Sequence, residues 1–122
     1  MKARILVVED DQIIQLDLRR NLKRLDYDVV GTASSGEEAI TKAAQLQPDL
    51  VLIDIRLQGA MDGIEAARQI KSARDVPVIY LTAQSVDLIP GSKEALGPRV
   101  TKPFKQTELQ ATIESTLQSK RA

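Results

Sequence analysis

Acidic residues gather where two apolar runs stop. Glu9, Asp10 and Asp11 follow Ile5-Leu6-Val7-Val8, and Asp54 follows Leu50-Val51-Leu52-Ile53. Two further runs end on a hydroxyl and a cation: Thr82 after Val78-Ile79-Tyr80-Leu81, and Lys102 after Arg99-Val100-Thr101. Carboxylates placed together raise each other's pKa unless positive charge sits among them. A hard divalent cation such as Mg²⁺ (or Mn²⁺) suits an all-oxygen set with few protein ligands and retained waters. With that charge and the Lys102 ammonium in place, the pocket could hold a phosphoryl group by its peripheral oxygens. A carboxylate nucleophile attacking that group gives an acyl phosphate.

Each residue has a plainer explanation. Asp11 alone reads as a helix-start residue, favoured there by capping and by the helix dipole. Thr82 alone would be an ordinary strand residue, and Lys102 alone a solvated amine. Asp54 differs, because an acid directly after four apolar residues of a buried strand is costly without a partner or ion. It is the candidate phosphate acceptor.

Composition narrows the chemistry further. The chain has no Cys and no His, which removes thiol nucleophiles, imidazole bases, disulfides and the usual zinc ligands. It cannot carry a phosphohistidine of its own, so it is neither a complete histidine kinase nor a histidine phosphotransfer domain. Lys plus Arg and Asp plus Glu both number 17, so overall charge draws the chain toward neither nucleic acid nor an anionic membrane. With 43% hydrophobic and 28% charged residues in 122, the expectation is one globular domain, 1–122. No apolar run approaches the roughly 20 residues that span a bilayer, and Met1-Lys2-Ala3-Arg4 leads straight into a strand-like run. A cytoplasmic location is the default.

Five apolar, β-branched runs, 5–8, 29–32, 50–53, 76–81 and 99–101, predict the strands that carry these residues. Between them, Ile14, Leu18, Leu22 and Leu25, and later Leu109, Ile113 and Leu117, recur at helical spacing and predict one buried face each. Ser35-Gly36-Glu37-Glu38 predicts a capping box in which Ser35 and Glu38 satisfy each other's amides, with Ala39, Ile40 and Ala43 as the buried face. The nearly continuous apolar runs 50–53 and 76–81 suit strands covered on both sides. The alternating βαβα order then predicts an α/β fold with a doubly wound parallel sheet, whose ligand crevice lies at the carboxyl ends of the strands. Pro90-Gly91 and Gly97-Pro98 interrupt the segment 85–98, so the fourth helix is expected to be short or distorted.

Four spaced motifs run through the whole chain: Ile5-Leu6-Val7-Val8-Glu9-Asp10-Asp11, Pro48-Asp49-Leu50-Val51-Leu52-Ile53-Asp54, Val76-Pro77-Val78-Ile79-Tyr80-Leu81-Thr82-Ala83 and Lys102-Pro103-Phe104. Together they resemble the receiver domains of two-component response regulators. The resemblance implies a flavodoxin-like (βα)5 receiver with a five-stranded sheet of order 2-1-3-4-5. It implies that Asp54 takes phosphate from a sensor histidine kinase or a histidine phosphotransfer protein. Asp10, Asp54 and the Arg56 backbone carbonyl would ligate Mg²⁺, and Glu9 would act through a metal-bound water. Thr82, the Ala83 amide and Lys102 would hold phosphoryl oxygens. Arg56 and Gln84 would tune hydrolysis, and the Lys102-Pro103 bond would be cis, which a tertiary amide tolerates at little cost. Such a domain is not an enzyme beyond its own phosphorylation and dephosphorylation.

Three features depart from the family pattern. The loop Ile55-Arg56-Leu57-Gln58-Gly59-Ala60-Met61-Asp62-Gly63 has Gln58 where Pro is usual and one extra residue before Gly63. Arg99 stands where an aromatic switch residue is usual, and the fourth helix is broken. The competing reading is a pseudo-receiver that binds a partner whatever its phosphorylation state. An aspartate-nucleophile phosphatase would want an acid where Arg56 stands, and a nucleotide-binding fold would need a Gly-rich loop after the first strand. No direct nucleic-acid or membrane contact is expected, and either a monomer or a homodimer fits. The chain stops straight after its last helix, as a stand-alone regulator or an excised receiver would.

Overall fold

In the computed structural model, which describes residues 2–82, 97–102 and 104–121, the apolar runs form strands β1 (Arg4–Val8), β2 (Asp28–Ala33), β3 (Leu50–Asp54), β4 (Val78–Thr82) and β5 (Arg99–Thr101). All neighbours pair in parallel, in the order β2-β1-β3-β4-β5. The expected flavodoxin-like sheet is therefore present. The fourth strand starts at Val78 instead of Val76, because Pro77 has no amide to give a ladder; its carbonyl still accepts from the Val51 amide at 3.0 Å. Between Ile5 and Leu6 the partner on β2 jumps from Val29 to Gly31, leaving Val30 as a bulge on the edge strand.

Side-chain alternation divides the core in two. Ile5, Val7, Leu50, Leu52, Ile79 and Leu81 point to one face of the sheet. There they meet Leu18 and Leu22 of α1 (Gln12–Arg24) and Leu109 and Ile113 of the C-terminal helix (Gln106–Arg121). Leu6, Val8, Val51, Ile53, Val78 and Tyr80 point to the other face. Those pack on Ala39 and Ala43 of α2 (Gly36–Leu46) and on Ala66, Ala67 and Ile70 of α3 (Gly63–Ala73). The stripes anticipated at helical spacing are buried at Leu18, Leu22, Ala39, Ala43, Leu109 and Ile113, with Ile14, Ile40 and Leu117 partly buried at their margins, while Leu25 falls just past α1 as its C-cap. The fourth helix expected within 85–98 lies outside the described residues, apart from Gly97 and Pro98.

The helices α1, α2 and α3 each open on a side chain that accepts orphan amides. Asp11 takes those of Ile13 and Ile14, Ser35 that of Glu38, and Asp62 that of Glu65. The capping box closes one residue earlier than expected: Glu38 accepts from the Ser34 amide at 2.7 Å, since Ser35 is fully extended (φ −143°, ψ 165°) and the chain before it turns the Ser34 amide to the helix. At the far end of α2 the Arg4 guanidinium donates to the carbonyls of Leu46 and Gln47 at 2.8 and 2.9 Å, tying the first strand to the helix C-terminus.

Leu52 has no exposed surface and sits in the central strand. Leu52→Ala should cost about 2–5 kcal/mol, read as a lower urea midpoint with an unchanged slope.

Candidate phosphoacceptor site

A parallel sheet sends all its carboxyl ends to one edge, so five sequence-distant strand ends become neighbours. Here that edge brings Glu9 after β1, Asp54 at the end of β3, Thr82 at the end of β4 and Lys102 after β5 together. The Lys102 amide donates to the Thr82 carbonyl at 2.6 Å, fixing the start of the turn that follows β5. The Lys102 side chain then reaches back across β4. Its Nζ donates to Glu9 Oε1 at 2.6 Å and to Asp54 Oδ2 at 2.9 Å.

Both acceptors are nearly closed to water, with Glu9 only 1% exposed. Burial of Glu9 outweighs the hydrogen bonds from Lys102 and from the Asp11 amide, and with the nearby Asp54 charge raises its pKa to about 7. Lys102 loses solvation too, yet the two carboxylates hold its pKa above the ordinary value. Asp54 Oδ1 accepts from the Arg56 amide at 2.9 Å, so both of its oxygens have a protein donor. Asp10 accepts from the Gln58 amide at 3.2 Å, and the Gln15 side chain donates to the Glu9 carbonyl at 2.9 Å.

Glu9, Asp10 and Asp54 each offer an oxygen, all within 4.8 Å of one another. When fully ionised, three carboxylates against one ammonium leave two negative charges. That balance, the all-oxygen donor set and the raised pKa of Glu9 fit a hard divalent cation. Asp11, favoured as a helix start, is the α1 cap and lies outside this trio. Thr82 is buried at the end of β4. Arg99 opens β5 opposite Tyr80, with Nη1 donating to the Gly97 carbonyl at 3.3 Å. The roles expected of the Ala83 amide, of Gln84 and of the Lys102-Pro103 peptide fall outside the described residues.

The site holds contacts that the sequence did not announce. Lys102 pairs with Glu9 across 93 positions, and the Gln58 amide reaches Asp10 across 48; no local signal encodes either. Gly63 did carry one, as a lone glycine at a helix start. An added Cβ there would stand 1.9 Å from the Asp54 carbonyl oxygen, so α3 can begin this close to the acceptor strand only on glycine.

A parallel sheet of this order, carrying an acidic trio and a lysine along its carboxyl edge, defines a flavodoxin-like receiver. The response regulator receiver domain profile matches residues 5–114, and the chain belongs to that family, the receivers of two-component signalling, which are not conventional enzymes. It is 38% identical over 120 residues to the alkaline phosphatase synthesis transcriptional regulatory protein PhoP of Bacillus subtilis, covering 96% of this chain and 49% of that protein. It is 38% identical over 113 residues to the transcriptional regulatory protein PdtaR of Mycobacterium tuberculosis, covering 91% and 55%. The chain thus spans about half the length of the curated relatives it matches. Among solved structures it resembles the receiver domain of the sensor histidine kinase PA1611 from Pseudomonas aeruginosa, which has a magnesium ion in its active-site cleft. The TM-score is 0.84 at 31% identity, over 97% of this chain and 99% of that one.

The raised pKa of Glu9 has a pH signature. A carboxyl whose folded pKa lies above its unfolded value favours folding at low pH, and that contribution is lost as pH rises from about 4.5 to about 7. In buffer stripped of divalent ions, the stability of the wild type relative to Glu9→Gln should fall across that window, as read from urea midpoints. A difference that does not vary with pH would contradict the assignment.

Proposed function

We propose that Asp54 accepts a phosphoryl group from a sensor histidine kinase or a histidine phosphotransfer protein, in a Mg²⁺-dependent reaction that Mn²⁺ also supports, and that this changes binding to a downstream protein. The observation that carries the reading is the held carboxylate of Asp54. It is buried, gripped by Lys102 and by the Arg56 amide, and lies beside Glu9 and Asp10.

In this reading an Asp54 oxygen attacks phosphorus, the bond from phosphorus to the donor histidine nitrogen breaks, and an acyl phosphate forms. Asp10, Asp54 and the Arg56 carbonyl would hold the metal directly and Glu9 through water; the ion would supply the positive charge that an anionic nucleophile needs to approach an anionic phosphoryl group. Lys102 would exchange a carboxylate oxygen for a phosphoryl oxygen, and the Thr82 hydroxyl and the Ala83 amide would take the others. Arg56 and Gln84 would tune its hydrolysis. Arg99 takes the position where the family usually has an aromatic switch residue, opposite Tyr80 and two residues before the Thr101 that pairs with Thr82.

The proposed kinase or phosphotransfer protein has to come close to the acidic edge. Ile13 and Leu16 of α1 support a docking face there, since they are 81% and 44% exposed and the helix starts directly after Asp11. Among the described residues no helix is long and apolar enough to cross a membrane. We read 1–122 as one receiver, cytoplasmic, acting as a monomer or homodimer without touching nucleic acid itself.

Incubation with a small acyl phosphate and Mg²⁺ should add one base-labile phosphoryl group to the intact mass, and Asp54→Asn or removal of the metal should abolish it. An unchanged mass in the wild type would overturn the reading and favour a binding module that works without phosphate.

A further inference from the structure

We infer that Met61, seated on Gly36, is a positioning residue for the metal-binding loop after β3, an inference that rests on the phosphoacceptor reading above. The loop runs from Ile55 to Gly63 and is one residue longer than the family pattern. Its neck is closed by the Gly63 amide donating to the Ile55 carbonyl at 2.8 Å. Its crown is tied to the rest of the protein on both sides of Gly59, by Leu57 and Gln58 before it and by Met61 after it. The Gln58 amide donates to Asp10 at 3.2 Å, and Met61 packs against the core beneath α2 and α3.

The Met61 contact is close. A Cβ on Gly36 would stand 3.0 Å from Met61 Cγ and Sδ and 3.1 Å from its Cβ, so the thioether fills the space that a side chain at position 36 would take. Gly36 is itself buried and fixed, as the first residue of α2 behind the Ser35 cap. Gln58 and Met61 bracket Gly59 and Ala60, which are exposed, and Gly59 has the permissive φ of +101°. Without the Met61 seat, the crown would keep Leu57 and the Gln58 hydrogen bond on one side of Gly59 and lose its packing on the other, next to a glycine that resists no rotation. Asp10 and the Arg56 carbonyl, two of the three groups assigned to the ion, depend on where this loop lies. Met61 touches neither and acts through the Gln58 amide, as outer groups commonly orient metal ligands.

Free Mn²⁺ measured by electron paramagnetic resonance during titration tests this without recourse to phosphorylation. Met61→Ala should weaken Mn²⁺ affinity about tenfold, and Met61→Leu, which keeps the volume, should restore it to within about twofold of the wild type. Leu46→Ala removes an apolar group packed on the same core but far along α2 from the loop. It should bind Mn²⁺ as the wild type does despite its lower thermal midpoint. Equal affinity in Met61→Ala and the wild type, or equal weakening in Leu46→Ala, would overturn the inference while leaving the metal site standing. A wild type that binds no Mn²⁺ would remove the metal site, and the inference with it.

Discussion

One ammonium shared between two buried carboxylates organises the carboxyl edge of this sheet. Lys102 lies after the last strand, Glu9 after the first and Asp54 at the end of the central one, and the contacts of 2.6 and 2.9 Å require all three strand ends to be in register. Buried ion pairs contribute little net stability, because desolvation consumes most of the Coulombic gain, yet removing one partner leaves an uncompensated charge. The arrangement is therefore better understood as charge held ready for use. Glu9 shows the residual tension: despite its short bond to Lys102 it binds its proton far more tightly than a free carboxyl does.

The remaining architecture keeps that edge in place. Apolar residues alternating on β1, β3 and β4 bury both faces of the sheet, so a slip by one position would exchange the side chains of the two cores and spoil their fit against the helices. The facing helices differ in character. The side under α2 and α3 is lined with alanines, which lets helices approach closely, and Gly63 carries this furthest by bringing α3 against the backbone of Asp54. The first helix is held at its start by Asp11, whose amide also bonds Glu9, so capping and site geometry share one residue.

Two of the three departures from the family pattern differ in their consequences. The lengthened loop after β3 touches the acidic trio directly, through Gln58 and Asp10, and bears on metal binding. Arg99 sits away from the trio, at the start of the edge strand β5 and opposite the buried Tyr80, and bears on how an altered site would be sensed.

Much of the molecule is legible in the sequence, because its encoding signals are local. The strand runs, the helical stripes of Leu18, Leu22, Leu109 and Ile113, and the caps at Asp11 and Ser35 each rest on residues a few positions apart. The candidate site was legible for a related reason: in a parallel sheet the residue after each strand must arrive at one edge, so Glu9, Asp10, Asp54, Thr82 and Lys102 could be grouped from their positions alone. Tertiary structure decided what no local pattern encodes. It set which carboxylates Lys102 meets, brought the Gln58 amide to Asp10, and placed Met61 on Gly36. Those outcomes turn on distances between segments far apart in the chain, which only the packing of the whole sheet and its helices fixes.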